Sequence, residues 1–428
     1  MTNRLIHTGA VFFTVLLWSG CYSGEPSSTA QNDRIRRVEN EIPRFSNPEP
    51  FAVLLASFNN MLNSEHTRRL QRASLDSLVT EYKIPGVCIA VINDYEIDWM
   101  KGYGEIHSGR GIEVRPDTYF EAGSTTKILT AALVMKLVEH DKLDLDRDVN
   151  DYLKSWKIPD SPLLGGKKIT TRLLLSHLSG LSEGENFGTE QGQVPMIVDV
   201  LEGRAPATNA PAEIEHEPGT KWQYSNFGFI VIQLLLEDHL GRSYADLMQE
   251  FVFDPLGMNR STFAHYDKRA IRDEVIVPHD RTGTPHERDM NATIKAHGDL
   301  LASPEDLARF TIGLMKAYVG EPNELFSQKT AREMLTVSRA IKPEEFFGLA
   351  DMGYGFGAFL LGENDTFCFM HPGSNNPGTS SMLIANPKAG KGAVIMTNGE
   401  QGLLLAVQMV TSIALAYDWP YDVSAEVK

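Results

Sequence analysis

Two hydrophobic periods divide this chain into strand-like ends and a helical middle. Near the start of the folded body, "HTRRLQRASLDSLVTEYK" places Leu70, Leu75, Leu78 and Val79 near helical spacing, and Pro85-Gly86 follows as a stop. "GVCIAVIND" and "EIDWMKGYG" then predict a hairpin turning near Asn93-Asp94. At the far end "GYGFGAFLL", "DTFCFMHPG", "TSSMLIANP" and "GAVIMTNG" predict short strands, and "LLLAVQMVTSIALAY" an apolar helix. Between them, from about residue 128 to 349, the patterns are helical, as in "KILTAALVMKLVEHDKL", "FGFIVIQLLLEDHLG" and "SPEDLARFTIGLMKAY". No internal repeat is present. The simplest arrangement is an α/β (α+β) domain whose sheet draws on both ends and is interrupted by a helical insert.

Ahead of this body, "MTNRLIHTGAVFFTVLLWSGCYSG" has a polar start with Arg4, an apolar stretch from Ala10 to Trp18 and small residues before Cys21. That is the pattern of a secretory signal, too short for an ordinary membrane span. Its "SGC" ending resembles the lipobox of bacterial lipoproteins, with Trp18 where an aliphatic residue is usual. Residues 1–21 are therefore expected to be a signal ending in a lipidated Cys21, with plain cleavage as the alternative. Residues 22–50, rich in Ser, Pro, Asn and charge, are expected to tether a domain spanning 51–428. Such a protein is exported, periplasmic or at the cell envelope, and meets the membrane by its lipid anchor only.

Composition narrows the function. The 40 basic and 56 acidic residues leave a net charge of −16, which argues against nucleic-acid binding. Cys88 and Cys368 sit inside apolar strand-like runs and read as buried thiols, a disulfide requiring Cα atoms within about 7 Å. The 12 histidines show no zinc-ligand spacing, and neither a metal nor a cofactor is expected.

Three short motifs carry candidate chemistry. In "GSTTKILTA", Ser124 opens a continuous apolar helix and Lys127 follows three positions later, on the same face. A serine there can cap the helix for about 1 kcal/mol. It can also be a nucleophile if a base takes its proton, and burial with the positive helix end would make Lys127 that base. In "EPGTKWQYSNFGF", Tyr224 and Asn226 lie two apart before the next helix, which Asn226 could cap. In "MHPGSNNPG", a strand ends at His371, Pro372 and Gly373, the glycine allowing close backbone approach.

In this order, Ser-x-x-Lys, Tyr-x-Asn and His-x-Gly resemble the serine β-lactamase and penicillin-binding protein superfamily. The likeness is to the class C β-lactamase, D-alanyl-D-alanine carboxypeptidase and family VIII esterase branch, and "LLLSHLSGL", "FDPLGMNRSTF", "AHGDLLASPEDLARF" and "MGYGFGAF" extend it. The resemblance implies an antiparallel sheet of at least five strands with packed helices and a helical second lobe. It implies that Ser124 is acylated, Lys127 accepts its proton and Tyr224 shuttles a proton to the leaving group. Asn226 would orient Lys127 and substrate, and His371, Gly373 and the backbone N–H of Ser374 would bind substrate, the last joining that of Ser124 in an oxyanion hole. It also places the strands of Cys88 and Cys368 apart, which favours free thiols.

His371 occupies the place often held by lysine in Lys-Thr-Gly. A mostly neutral imidazole suits a penicillin carboxylate less well than an ammonium group. The expected function is an exported serine hydrolase acting on ester, amide or D-amino-acid-type peptide bonds of a small-molecule or peptide substrate. A class C-like β-lactamase and a non-catalytic module that binds cell-wall peptides remain the alternatives. "GLSEG", Gly180 to Gly184, matches a Gly-x-Ser-x-Gly elbow, but a leucine-rich helix precedes Ser182 where that motif needs a strand. The neighbouring His177 reads as a packed structural residue.

Overall fold

Both ends of the chain feed one eight-stranded antiparallel sheet in a computed structural model describing residues 29–44, 70–189, 193–263, 273–286, 293–342, 345 and 352–420. In chain order the strands are β1 (Gly86–Asn93), β2 (Glu96–Gly104), β3 (Arg339–Ala340), β4 (Met352–Tyr354), β5 (Phe359–Leu361), β6 (Cys368–Asn375), β7 (Thr379–Asn386) and β8 (Lys391–Thr397). Across the sheet they run β2-β1-β8-β7-β6-β5-β4-β3. The first hairpin turns one residue later than expected: Asn93 pairs with Glu96, and Asp94 and Tyr95 take positive φ of 53° and 60°. That is the two-residue turn matching the natural strand twist.

The central strands are buried along almost their whole length because helices cover both faces. Val87, Ile89, Ile384 and Ile395 pack with the C-terminal helix Gly402–Ala416, while Cys88, Ala90, Leu383 and Val394 pack on the side of helix Pro304–Val319. Cys88 and Cys368 therefore lie on opposite faces with two strands between them, and both are free and buried.

Between β2 and β3 the chain is mainly helical, with one small three-stranded sheet formed by Phe120–Glu121, Leu301–Ala302 and Ser261–Thr262. This insert closes before residue 349, since Arg339 and Ala340 already pair with β4. Its centre holds two almost wholly buried helices, Thr126–Glu139 and Asn226–Leu240.

The expected tether needs correction. Thr29–Asn40 is a helix, here α1, that packs on the C-terminal helix; Val38 and Ile42 are fully buried. Gln31 Nε2 donates to Asp98 O at 2.7 Å, and Lys101 pairs with Glu39 at 2.6 Å. Ile42-Pro43 also pairs with Arg72-Ala73. A single apolar stripe of Ile35, Val38 and Ile42, set among polar and charged residues, is enough to dock this segment, and bulk composition hides it. The leader, Cys21 and the remaining tether residues lie outside the described residues. The helix expected within residues 66–83 spans Leu75–Glu81, where the Ser74 side chain caps it. Among the described residues no helix is long and apolar enough to cross a membrane.

Candidate active site

The site begins at a glycine. Gly123 has φ of +52°, which an L side chain adopts only under strain, and it opens a single 3-10 turn (Gly123–Thr125) leading into α2 (Thr126–Glu139). The start of this helix has no side-chain cap, so the capping role that Ser124 could have had is not used. Instead, one turn along, Lys127 is fully buried and its Nζ lies 3.1 Å from Ser124 Oγ. The same nitrogen donates to Asn226 Oδ1 at 2.8 Å and to the carbonyl of His297 at 2.5 Å. Burial pushes the Lys127 amine well below the ordinary lysine range, while the charge of Glu183 pulls the other way.

Tyr224 and Asn226 come from the start of α3 (Asn226–Leu240). Ser225, not Asn226, is the cap: its Oγ accepts the N–H of Gly228 at 3.0 Å. That frees the Asn226 amide, whose Nδ2 donates to Gly184 O at 2.9 Å while its oxygen holds Lys127. Tyr224 bonds with the Ser124 side chain, and the Lys127 Nζ lies 4.9 Å from its ring centre. Burial raises the Tyr224 pKa, opposed by the bond with Ser124, so the phenol stays protonated at neutral pH. A lysine shifted towards its neutral form and a tyrosine held in its protonated form thus flank one hydroxyl, the opposed tuning that acid–base chemistry uses.

Strand β6 supplies the third side. A Cβ on Gly373 would stand 2.1 Å from Ala122 O and 2.9 Å from Thr125 N, so only glycine lets the Ser124 turn lie on the strand. In return, a Cβ on Gly123 would meet Ser374 N at 2.8 Å. The backbone of Ser374 is thereby brought against the turn that bears Ser124. The direct substrate contact expected of His371 is corrected: its ring is buried, Nδ1 donates to Pro372 O at 2.7 Å, and Nε2 accepts from the Tyr354 hydroxyl at 3.3 Å. With both ring nitrogens committed inside the protein, the imidazole has no N–H left for a ligand.

Sequence reasoning missed two contributors. The His297 carbonyl binds Lys127, a backbone role that no residue type announces. The charge of Glu183 acts on Lys127 against the effect of burial; its own carboxyl is raised by burial and by Glu185. Ser182 lies in a loop, its Oγ accepting the N–H of Glu213 at 3.1 Å, and the element before it is the short helix Thr171–Leu175. Among the described residues no group of His, Cys, Asp and Glu is placed to hold a metal ion.

Three histidines lie near Lys127, His177 and His371 fully buried and His297 partly so. Burial, then the charge of Lys127, lowers His297 and His371 to about 3 and His177 well below 6.5. Their folded values lie below the unfolded value, so the unfolded chain binds more protons below pH 6.5. The stability they allow is complete above pH 6.5 and is lost as pH falls towards the folded values, at up to about 1.4 kcal/mol per pH unit for each histidine. Urea unfolding at pH 7.5, 6.0 and 5.0 should show this loss, and His371→Asn should make it shallower. Equal stability across that range would contradict the burial of neutral imidazoles.

A family model described as Beta-lactamase matches residues 71–418. The chain is 27% identical over 338 residues to Penicillin-binding protein 4 of Amycolatopsis lactamdurans, covering 76% of this chain and 83% of that one. Among solved structures it is similar to an octameric penicillin-binding protein homologue from Pyrococcus abyssi, with a TM-score of 0.66, 24% identity and coverage of 82% and 77%. It is also similar to SurE, in a crystal structure with D-Leu, with a TM-score of 0.60, 25% identity and coverage of 80% and 73%.

Proposed function

Since the chain belongs to the Beta-lactamase family, whose members include serine hydrolases, we propose that it is a hydrolase that works through an acyl-enzyme on Ser124. The observation that carries this reading is the buried Lys127 amine, 3.1 Å from Ser124 Oγ, with the protonated Tyr224 on the same hydroxyl. Lys127 takes the Oγ proton as Oγ attacks the substrate carbonyl carbon. The backbone N–H groups of Ser124 and Ser374 hold the oxyanion that forms. Collapse of this intermediate breaks the bond to the leaving oxygen or nitrogen, which receives a proton through Tyr224 while Lys127 returns the proton it took. Water then adds to the acyl carbon, gives its proton back along the same route, and releases the acid and free Ser124. Asn226 acts by fixing the Lys127 nitrogen.

Esters, amides and peptides of the D-amino-acid type suit this site better than penicillins. His371 stands where a carboxylate-binding lysine would be, and it is neutral, buried and internally bonded. The likeness to SurE, crystallised with D-Leu, supports the D-amino-acid class. The leader sequence and Cys21 support export and a lipid anchor, which the mass of the mature N-terminus would test.

The substrate test presents the protein with a p-nitrophenyl ester, a D-amino-acid p-nitroanilide and a simple penicillin, with Ser124→Ala as control. We expect turnover of the ester or anilide that depends on Ser124, and penicillin consumption at least about tenfold slower, the cost of one unmade charge-assisted bond. Rapid penicillin turnover with no ester or anilide activity would favour the β-lactamase alternative. Stoichiometric ligand binding without turnover would favour the binding module.

A further inference from the structure

We propose that His177 is the positioning residue that sets Tyr224 against Ser124, an inference that rests on the reading of Tyr224 as the proton shuttle. His177 is 1% exposed and so touches no substrate. It follows the short helix Thr171–Leu175, and its φ of +59° is a left-handed conformation that a residue other than glycine keeps only when its surroundings hold it there.

Two of its hydrogen bonds reach the Tyr224 segment, and they fall on either side of one residue. The His177 carbonyl accepts the N–H of Gln223 at 3.0 Å, and its Nδ1 accepts the N–H of Ser225 at 3.0 Å. Tyr224 is the residue between, and its ring lies on the imidazole with centroids 4.4 Å apart. His177 therefore fixes the backbone on both sides of the tyrosine and also supports its ring. The rings of Tyr354 at 4.8 Å and Phe229 at 5.4 Å close round the imidazole, leaving it little freedom to turn.

The tautomer argues against simple filling. With Nδ1 accepting from Ser225, the proton of the neutral ring lies on Nε2, which is buried with no hydrogen-bond partner among the described residues. An unpartnered buried N–H is a cost that an apolar side chain at this position would not bring. What the histidine provides in exchange is an acceptor aimed at the residue after Tyr224, together with a flat face for its ring. The same bond keeps the cap Ser225 in place, so the helix bearing Asn226 starts in register with the tyrosine.

The test uses the full chain, a p-nitrophenyl ester, and three variants measured for kcat, KM and Tm. His177→Asn keeps an acceptor near the Nδ1 position and tolerates positive φ. His177→Phe keeps the ring contact without the acceptor, and His177→Leu replaces it should the phenylalanine variant not fold. Tyr224→Phe, expected to lose kcat by about 10²-fold or more, reports on the premise.

The expected result is a kcat loss of about tenfold to 10²-fold at nearly unchanged KM for the apolar variant, because the hydroxyl of Tyr224 is displaced. The asparagine variant should recover to within about threefold of the parent even though it loses more packing and more Tm. If kcat follows Tm across the variants, or the apolar variant keeps parental kcat while Tyr224→Phe is inactive, His177 is a packing residue and the inference falls. If Tyr224→Phe itself keeps parental kcat, the premise falls and the inference with it.

Discussion

Ser124→Ala is expected to lower kcat by about 10⁴-fold or more on any ester or anilide the protein turns over, with the fold and Tm close to those of the parent. The reason is local. The Ser124 hydroxyl oxygen is in contact with both the depressed lysine and the raised tyrosine, so its removal takes from the acid–base pair the group it acts on. The turn holding it is set by Gly123 and by the strand beneath, neither of which needs the hydroxyl. Residual rate would come from binding and the oxyanion donors alone. The check pairs steady-state kinetics with intact mass after brief exposure to a slowly deacylating ester. Parent protein should gain the acyl mass on Ser124 and the variant should not. A variant that keeps kcat within tenfold would remove Ser124 as the nucleophile.

The pair Ser124–Lys127 was legible because its geometry is local: three residues along a helix bring two side chains to one face whatever else the chain does. The wider assembly of Tyr224, Asn226, His371 and Gly373 was legible only as a resemblance, since nothing in spacing alone brings residues a hundred positions apart into one site. The strand-rich ends and helical middle followed from periodicity, and the free cysteines from the strand order that the resemblance implied.

Other features depend on tertiary surroundings and were not legible. Residues 29–43 look like a polar linker, yet Ile35, Val38 and Ile42 suffice once an apolar helix is present to receive them. His371 read as a ligand-facing side chain, but the strand turns its ring towards Tyr354 and Phe359. His177 read as packing because its two bonds to the residues flanking Tyr224 appear only when distant loops meet. His297 contributes through a carbonyl, which sequence does not mark.

Gly373→Ala should lose kcat by about 10²-fold and about 1 to 3 kcal/mol of stability, although it adds one methyl group. The added carbon would sit 2.1 Å from Ala122 O, 2.5 Å from Ser381 Oγ and 2.9 Å from Thr125 N. Two of these are backbone atoms of the segment that presents Ser124, so relief requires that segment to lift from β6. Lifting it separates the N–H groups of Ser124 and Ser374 and withdraws Ser124 Oγ from a lysine that is itself fixed by Asn226 and His297. Crowding predicts a loss of activity in a protein that still folds, because the turn can retreat by a fraction of an ångström without unfolding while catalysis depends on that distance. Gly109→Ala is the control, since it places a methyl group in open space at a positive φ of 77° and tests backbone strain without crowding. It should cost about 1 kcal/mol of stability and leave kcat unchanged. Acylation rates and urea midpoints for both variants decide the matter: if Gly373→Ala acylates at the parental rate, the strand does not set the position of the nucleophile turn.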